Sequence, residues 1–113
     1  MITNLAIVLA VAMIESGNCT AAVNRAEQAY GWHQVRAAAL HDVNRAMGTR
    51  VTLEHCLDPR VSSWVFLCYG RIYGAISPLD HASIWNAGPS GRAPRQYRAR
   101  VRALWREYRK ERS

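Results

Sequence analysis

A chain of 113 residues that is 50 % hydrophobic and 20 % charged is sized for one domain with a single core, and that balance excludes a disordered chain or a fibrous repeat. Seventeen alanines against one Phe and seven Gly favour helix over sheet, because Ala loses no side-chain entropy in a helix and packs poorly on a pleated face. The net charge of +7 is not spread evenly: residues 1–91 hold six basic and six acidic side chains, and residues 92–113 hold nine basic against two acidic, so the body is neutral and only the C-terminal end calls for an anionic partner.

The first apolar run, Leu5 to Ile14, is about half the length a helix needs to cross a bilayer and reads as core. Ala10-Val11-Ala12 resembles a signal cleavage site, but no Lys or Arg precedes the run, so no export signal is read there. A helix is expected from Thr3, its N-cap, to Ser16, with Gly17 as the left-handed stop. It is apolar nearly all round and so belongs in the middle of the domain, which makes Glu15 a carboxyl emerging from the core. Residues 17–33 read as a long loop with room for a short hairpin, and loops of that length in compact domains usually carry function.

Val35, Ala39, Val43 and Met47 recur at helical spacing, giving a second helix from Gln34 to Met47 that Gly48 stops. Asp58-Pro59 opens a third, apolar helix through Tyr73, in which Trp64, Phe66 and Tyr69 form a core stripe. Ser77 with Asp80 three residues on opens a fourth that stops at Asn86 to Pro89. After a connector over residues 88–95, the residues Tyr97, Val101, Leu104, Trp105 and Tyr108 define the inner face of a basic amphipathic helix, 95–111. The expectation is an all-α single domain over 1–113, about five helices around a buried N-terminal one, with a cleft lined by loops.

Cys19, Cys56 and Cys68 include no Cys-x-x-Cys pair and no His at ligand spacing, so no metal site is expected and at most one disulfide can form. They read as small, mostly buried side chains. No Gly-rich run precedes Lys-Ser or Lys-Thr, which argues against ATP chemistry.

The candidate chemistry lies in a series of short motifs. Glu15-Ser16 closes the buried helix, Gly31-Trp32-His33-Gln34 follows the loop, Leu57-Asp58-Pro59 opens a helix, Trp85-Asn86-Ala87-Gly88 closes the next, and Tyr97 with Val101 starts the last. Alone, a Glu at a helix end is commonly a solvated carboxylate, yet a negative charge there opposes the helix dipole and calls for a reason. In this order the motifs resemble the lytic transglycosylases of the goose-type lysozyme-like superfamily, over nearly the whole chain. That family's marks are a catalytic Glu-Ser, a Gly-Leu-Met-Gln-like stretch, a Leu-Phe-Asp-Pro-like helix start, an Ala-Tyr-Asn-x-Gly block and a final Tyr-x-x-x-Val.

The resemblance implies a lysozyme-like fold and cleavage of the β-1,4 bond between N-acetylmuramic acid and N-acetylglucosamine in peptidoglycan, leaving a 1,6-anhydro end, with no cofactor. It makes Glu15 the catalytic acid and then base. Gln34 would fix the sugar or its acetamide, Asn86 would hold substrate or loop beside Glu15, and Tyr97 would bring its hydroxyl to the carboxyl. Ser16 would stabilise local backbone, Asn24 stands where many relatives have a loop serine, and Trp32 is the sugar-stacking candidate. Trp32-His33 replaces Leu-Met, Gln28 stands where a Gly often precedes the Ala, and Trp85 replaces Tyr; His33 is read as capping or lining the start of helix two.

The minimal size fits a phage or prophage endolysin, and a bacterial wall-remodelling enzyme fits the same sites. Either would act in the periplasm or cell wall, as a monomer. The Arg-rich last helix is expected to attract anionic cell-envelope polymers or lipids rather than nucleic acid. Two alternatives stand beside this reading: a goose-type muramidase that hydrolyses the same bond with Glu27 as base, and a non-enzymatic basic module that binds nucleic acid or membrane.

Overall fold

The structure, a computed structural model, describes residues 4–111. Five helices carry the fold: α1 (Leu5–Ser16), α2 (Ala37–Met47), α3 (Pro59–Ile72), α4 (Pro78–Ala87) and α5 (Arg95–Glu111). Between α1 and α2 lies a two-stranded antiparallel ladder of β1 (Val23–Asn24) and β2 (Ala29–Tyr30), pairing Val23 with Tyr30 and Asn24 with Ala29. A single 3-10 turn, Glu54–Leu57, precedes α3. Among the described residues, no helix is long and apolar enough to cross a membrane.

Local chemistry explains most boundaries. Gly17 ends α1 at φ 62°, with its N–H on the Met13 carbonyl at 2.9 Å. The Asp58 carboxylate accepts the Arg60 N–H at 2.8 Å, and Pro59 fills the first turn of α3, where its missing N–H costs nothing. Ser77 and Asp80 cap α4 reciprocally, the Ser77 hydroxyl accepting the Asp80 N–H and the Asp80 carboxylate accepting the Ser77 N–H. At α1 the expected cap Thr3 lies outside the described residues, and Asn4 precedes the helix without a side-chain cap bond.

The second helix starts at Ala37, later than Gln34. Gln34 takes a left-handed backbone, φ 53°, and Val35 is held in a bridge to Tyr30 by bonds of 2.8 and 2.9 Å, so the chain cannot turn helical before them.

The core has two lobes. Val35, Leu40, Val43, Val65, Tyr69 and Ile84 form one, where α2 and α4 meet α3. Ile7, Val8, Val11, Phe66, Ala82 and Val101 form the other, where α1 packs chiefly on α5 and also on α4. Each fully buried aliphatic or Phe side chain contributes about 1.5–3 kcal/mol. Helix α3 feeds both lobes and is the wall between them.

His33 belongs to this core and not to the rim of α2. It is wholly buried, and its ring stacks on Phe66 with centroids 4.9 Å apart. Its Nε2 lies 3.0 Å from the Val8 carbonyl, which can only accept, so the proton sits on Nε2; Nδ1 then accepts the Ser62 hydroxyl at 2.7 Å. Burial pushes its pKa down to about 4, so the ring is neutral near pH 7 and joins α1 to α3 without a charge.

Candidate active site

Glu15 sits in the last turn of α1, half-buried, at the edge of a cleft of about 370 Å³. The apolar helix that delivers it also withholds water, and burial pushes its carboxyl up to about 7, with Arg36 opposing the shift and Glu27 adding to it. It therefore exchanges its proton near neutral pH, where an ordinary glutamate is already ionised.

The rest of the cleft wall comes from three other places in the chain: Gln34 and Arg36 ahead of α2, Tyr69 from α3, and Trp85 with Asn86 from the end of α4. Gln34 donates its amide N–H groups to the carbonyls of Gly31 at 2.9 Å and Ala22 at 3.2 Å, which ties the hairpin to the cleft rim. Trp85 donates to the His33 carbonyl at 3.0 Å and stands edge-on to Phe66 and Tyr69, so its ring is a fixed wall. Asn86 is exposed on the last turn of α4, with Gly88 ending the helix just beyond it.

The structure thus brings Glu15, Gln34 and Asn86 to one cleft and leaves the other expected residues off its wall. Trp32 packs against the α1 lobe and donates its indole N–H to Asn18 Oδ1 at 2.8 Å, so its ring is structural where sugar stacking was expected. Ser16 donates to the Trp32 carbonyl at 2.8 Å and accepts the Cys19 N–H at 3.1 Å, the local backbone role expected of it. Asn24 is in the hairpin, where its Oδ1 accepts the Glu27 N–H at 3.2 Å. Tyr97 packs in the α1 lobe, its hydroxyl buried without a partner among the described residues. Burial first and the Glu15 charge second hold its phenol above the usual range, so the two groups sense each other although Tyr97 does not line the cleft.

Three charged or aromatic residues of the wall were not foreseen. Arg36 was signalled only by its place two residues after Gln34. Tyr69 was read as core, and it is 8 % exposed while still lining the cleft. Trp85 was noted as a replacement for Tyr and given no role. Arg36 is paired with Glu27, both on exposed side chains, and its guanidinium counters the rise of the Glu15 carboxyl. Arg36→Gln is therefore expected to move the alkaline limb of any Glu15-dependent activity to higher pH, as read from a pH–rate profile; an unmoved limb would place Arg36 outside the electrostatics of the site.

All three cysteines are free. Cys56 and Cys68 are buried, and burial raises both thiols, Cys56 to about 11, so neither is a ready nucleophile. Cys19 is the exposed one of a mostly buried set, because the chain has left the core after Gly17. Among the described residues, no three of His, Cys, Asp and Glu come together as metal ligands. No family model, curated protein or solved structure matches the chain.

Proposed function

We propose that this protein cleaves the β-1,4 glycosidic bond between N-acetylmuramic acid and N-acetylglucosamine of peptidoglycan without consuming water. The reading rests on the motif order given above and, above all, on one observation: a carboxyl raised to about 7 on a cleft it shares with Gln34 and Asn86. General acid cleavage of a glycosidic acetal needs a carboxyl that still holds its proton when substrate arrives; Glu15, at about 7, is half protonated at neutral pH and more so below it.

In the proposed reaction Glu15 gives its proton to the glycosidic oxygen as the C1–O bond breaks, and the N-acetylglucosamine leaves with a free 4-hydroxyl. The substrate's own acetamide shares the positive charge at C1, so a second protein carboxylate is not required. Glu15, now a carboxylate, takes the proton of the muramic 6-hydroxyl while O6 bonds to C1, which restores the acid and leaves the 1,6-anhydro ring. The Tyr97 hydroxyl, buried, unpartnered and within the field of Glu15, is a donor available to the transient carboxylate. Gln34, whose amide N–H groups are held by the Ala22 and Gly31 carbonyls, offers its Oε1 to the sugar and Asn86 offers its amide, with Trp85 as the apolar wall.

Hydrolysis of the same bond would need Glu27 as a free base for water. Glu27 is spoken for by Arg36 on an exposed hairpin, so the non-hydrolytic route is preferred. Digestion of purified sacculi followed by mass analysis of the fragments tests this: anhydro-muramic ends are expected, and reducing ends in their place would turn the assignment to a muramidase.

A further inference from the structure

The net positive charge of the chain concentrates in α5, and within α5 it concentrates on one flank. With about 100° per residue, Arg98, Arg109, Arg102, Arg95 and Arg106 fall within a sector of about 80°, a row about 21 Å long. Both acids of the helix, Glu107 and Glu111, fall on the opposite flank with Arg100. Among the described residues the ion pairs are Arg36 with Glu27 and Arg60 with Asp58, so no carboxylate neutralises this row.

The row borders space. A groove of about 350 Å³ runs along it between Arg95, Arg98, Arg102 and Arg106, floored by Ala99 and Ala103. Arg98 also borders a second hollow of about 420 Å³, but the Asp80 carboxylate lines that one, so the track is confined to the helix face. Two features restrict what it fits. Its floor is alanine, with no large apolar side chain to enter a bilayer, and the neighbouring rings are turned toward the domain: Tyr97 and Trp105 are both part-buried, Trp105 with Arg109 over its face at 4.5 Å, which leaves no open ring for bases to stack on.

We propose that this arginine row is a binding track for a linear phosphodiester chain of the poly(glycerol phosphate) kind, held through its phosphates alone. The inference does not rest on the cleavage reading, because its test measures binding and not activity. Arginine forks suit phosphate oxygens bidentately, and a row of them along a groove matches a thread better than a plane.

The probe is poly(glycerol phosphate), titrated against the full chain at several salt concentrations, beside single-stranded oligothymidylate and vesicles of phosphatidylglycerol with phosphatidylcholine. The polymer is expected to bind tightest, with a log–log salt slope of about 3 to 4 if each of the five arginines meets a phosphate. Arg95→Gln/Arg102→Gln/Arg106→Gln is expected to weaken it at least about tenfold, while Arg25→Gln/Arg50→Gln/Arg71→Gln, exposed sites elsewhere with the same change in net charge, weakens it less than about twofold. Equal loss in both variants would reduce the effect to net charge and overturn the proposal. So would absent polymer binding at low salt, or binding of vesicles or oligothymidylate as tight as that of the polymer.

Discussion

In turbidity assays on purified sacculi, Glu15→Gln is expected to lose activity by about 10³-fold or more, since in the proposed reaction one group is both acid and base. The same substitution is expected to make the protein more stable at alkaline pH. The folded-state pKa of Glu15, about 7, is raised above the ordinary 4.5, so between these values the folded chain binds more protons than the unfolded one and stability falls as pH rises. The neutral Gln does not carry that loss. Above pH 7 it should exceed wild type by up to about 3 kcal/mol, an upper bound because the carboxyl is only half-buried, and the difference should shrink toward pH 4.5. Wild-type cleavage should decline as pH rises through about 7, as the acid loses its proton. Thermal melts and rates over pH 5 to 9 check all three; a Glu15→Gln protein retaining a tenth of the activity would end the assignment of this residue.

The second large effect concerns Gly31. Its backbone has φ 83°, and a Cβ there would lie 2.0 Å from the Cys56 carbonyl oxygen and 2.9 Å from its carbon. Those are backbone atoms of the 3-10 turn and cannot swing aside. Gly31→Ala is expected to cost about 3 kcal/mol or more, from the clash together with the left-handed backbone. At this chain length that is a fall in melting temperature of at least about 10 °C. Gly17→Ala is the control: its φ is 62° with no atom within 4 Å of the added carbon, so only the conformational cost of about 1 kcal/mol remains. Equal melting temperatures for the two variants would mean the hairpin does not press on the 3-10 turn. Because Gln34 bonds the Gly31 carbonyl, surviving folded Gly31→Ala protein should also show a disturbed cleft.

Signals that lie within a turn or two of chain were legible in the sequence. Gly17, Asp58-Pro59 and the Ser77–Asp80 pair set helix ends through bonds to near neighbours, and α5 announced its inner face by spacing alone. Glu15 was legible because an apolar helix has to end somewhere and carries its terminal charge out of the core with it.

What escaped depends on partners far along the chain. His33 is a core residue because Ser62 and Val8 satisfy both its nitrogens, and nothing near position 33 announces them. The start of α2 is delayed by a bridge to Tyr30 that periodicity cannot see. Trp32 packs against the α1 lobe with its N–H on Asn18, 14 residues away in the chain. Arg36 and Tyr69 joined the cleft through the packing of α2 and α3, whereas Gln34 and Asn86 were found from motif order.

The packing of α1 against α5 bears on how the molecule is made. Until α5 is in place, the oily flank of α1 lacks the surface that covers it, and Tyr97 is outside the field of Glu15. That contact joins segments about 80 residues apart, so the α1 lobe, with Glu15 at its end, is expected to close late in folding.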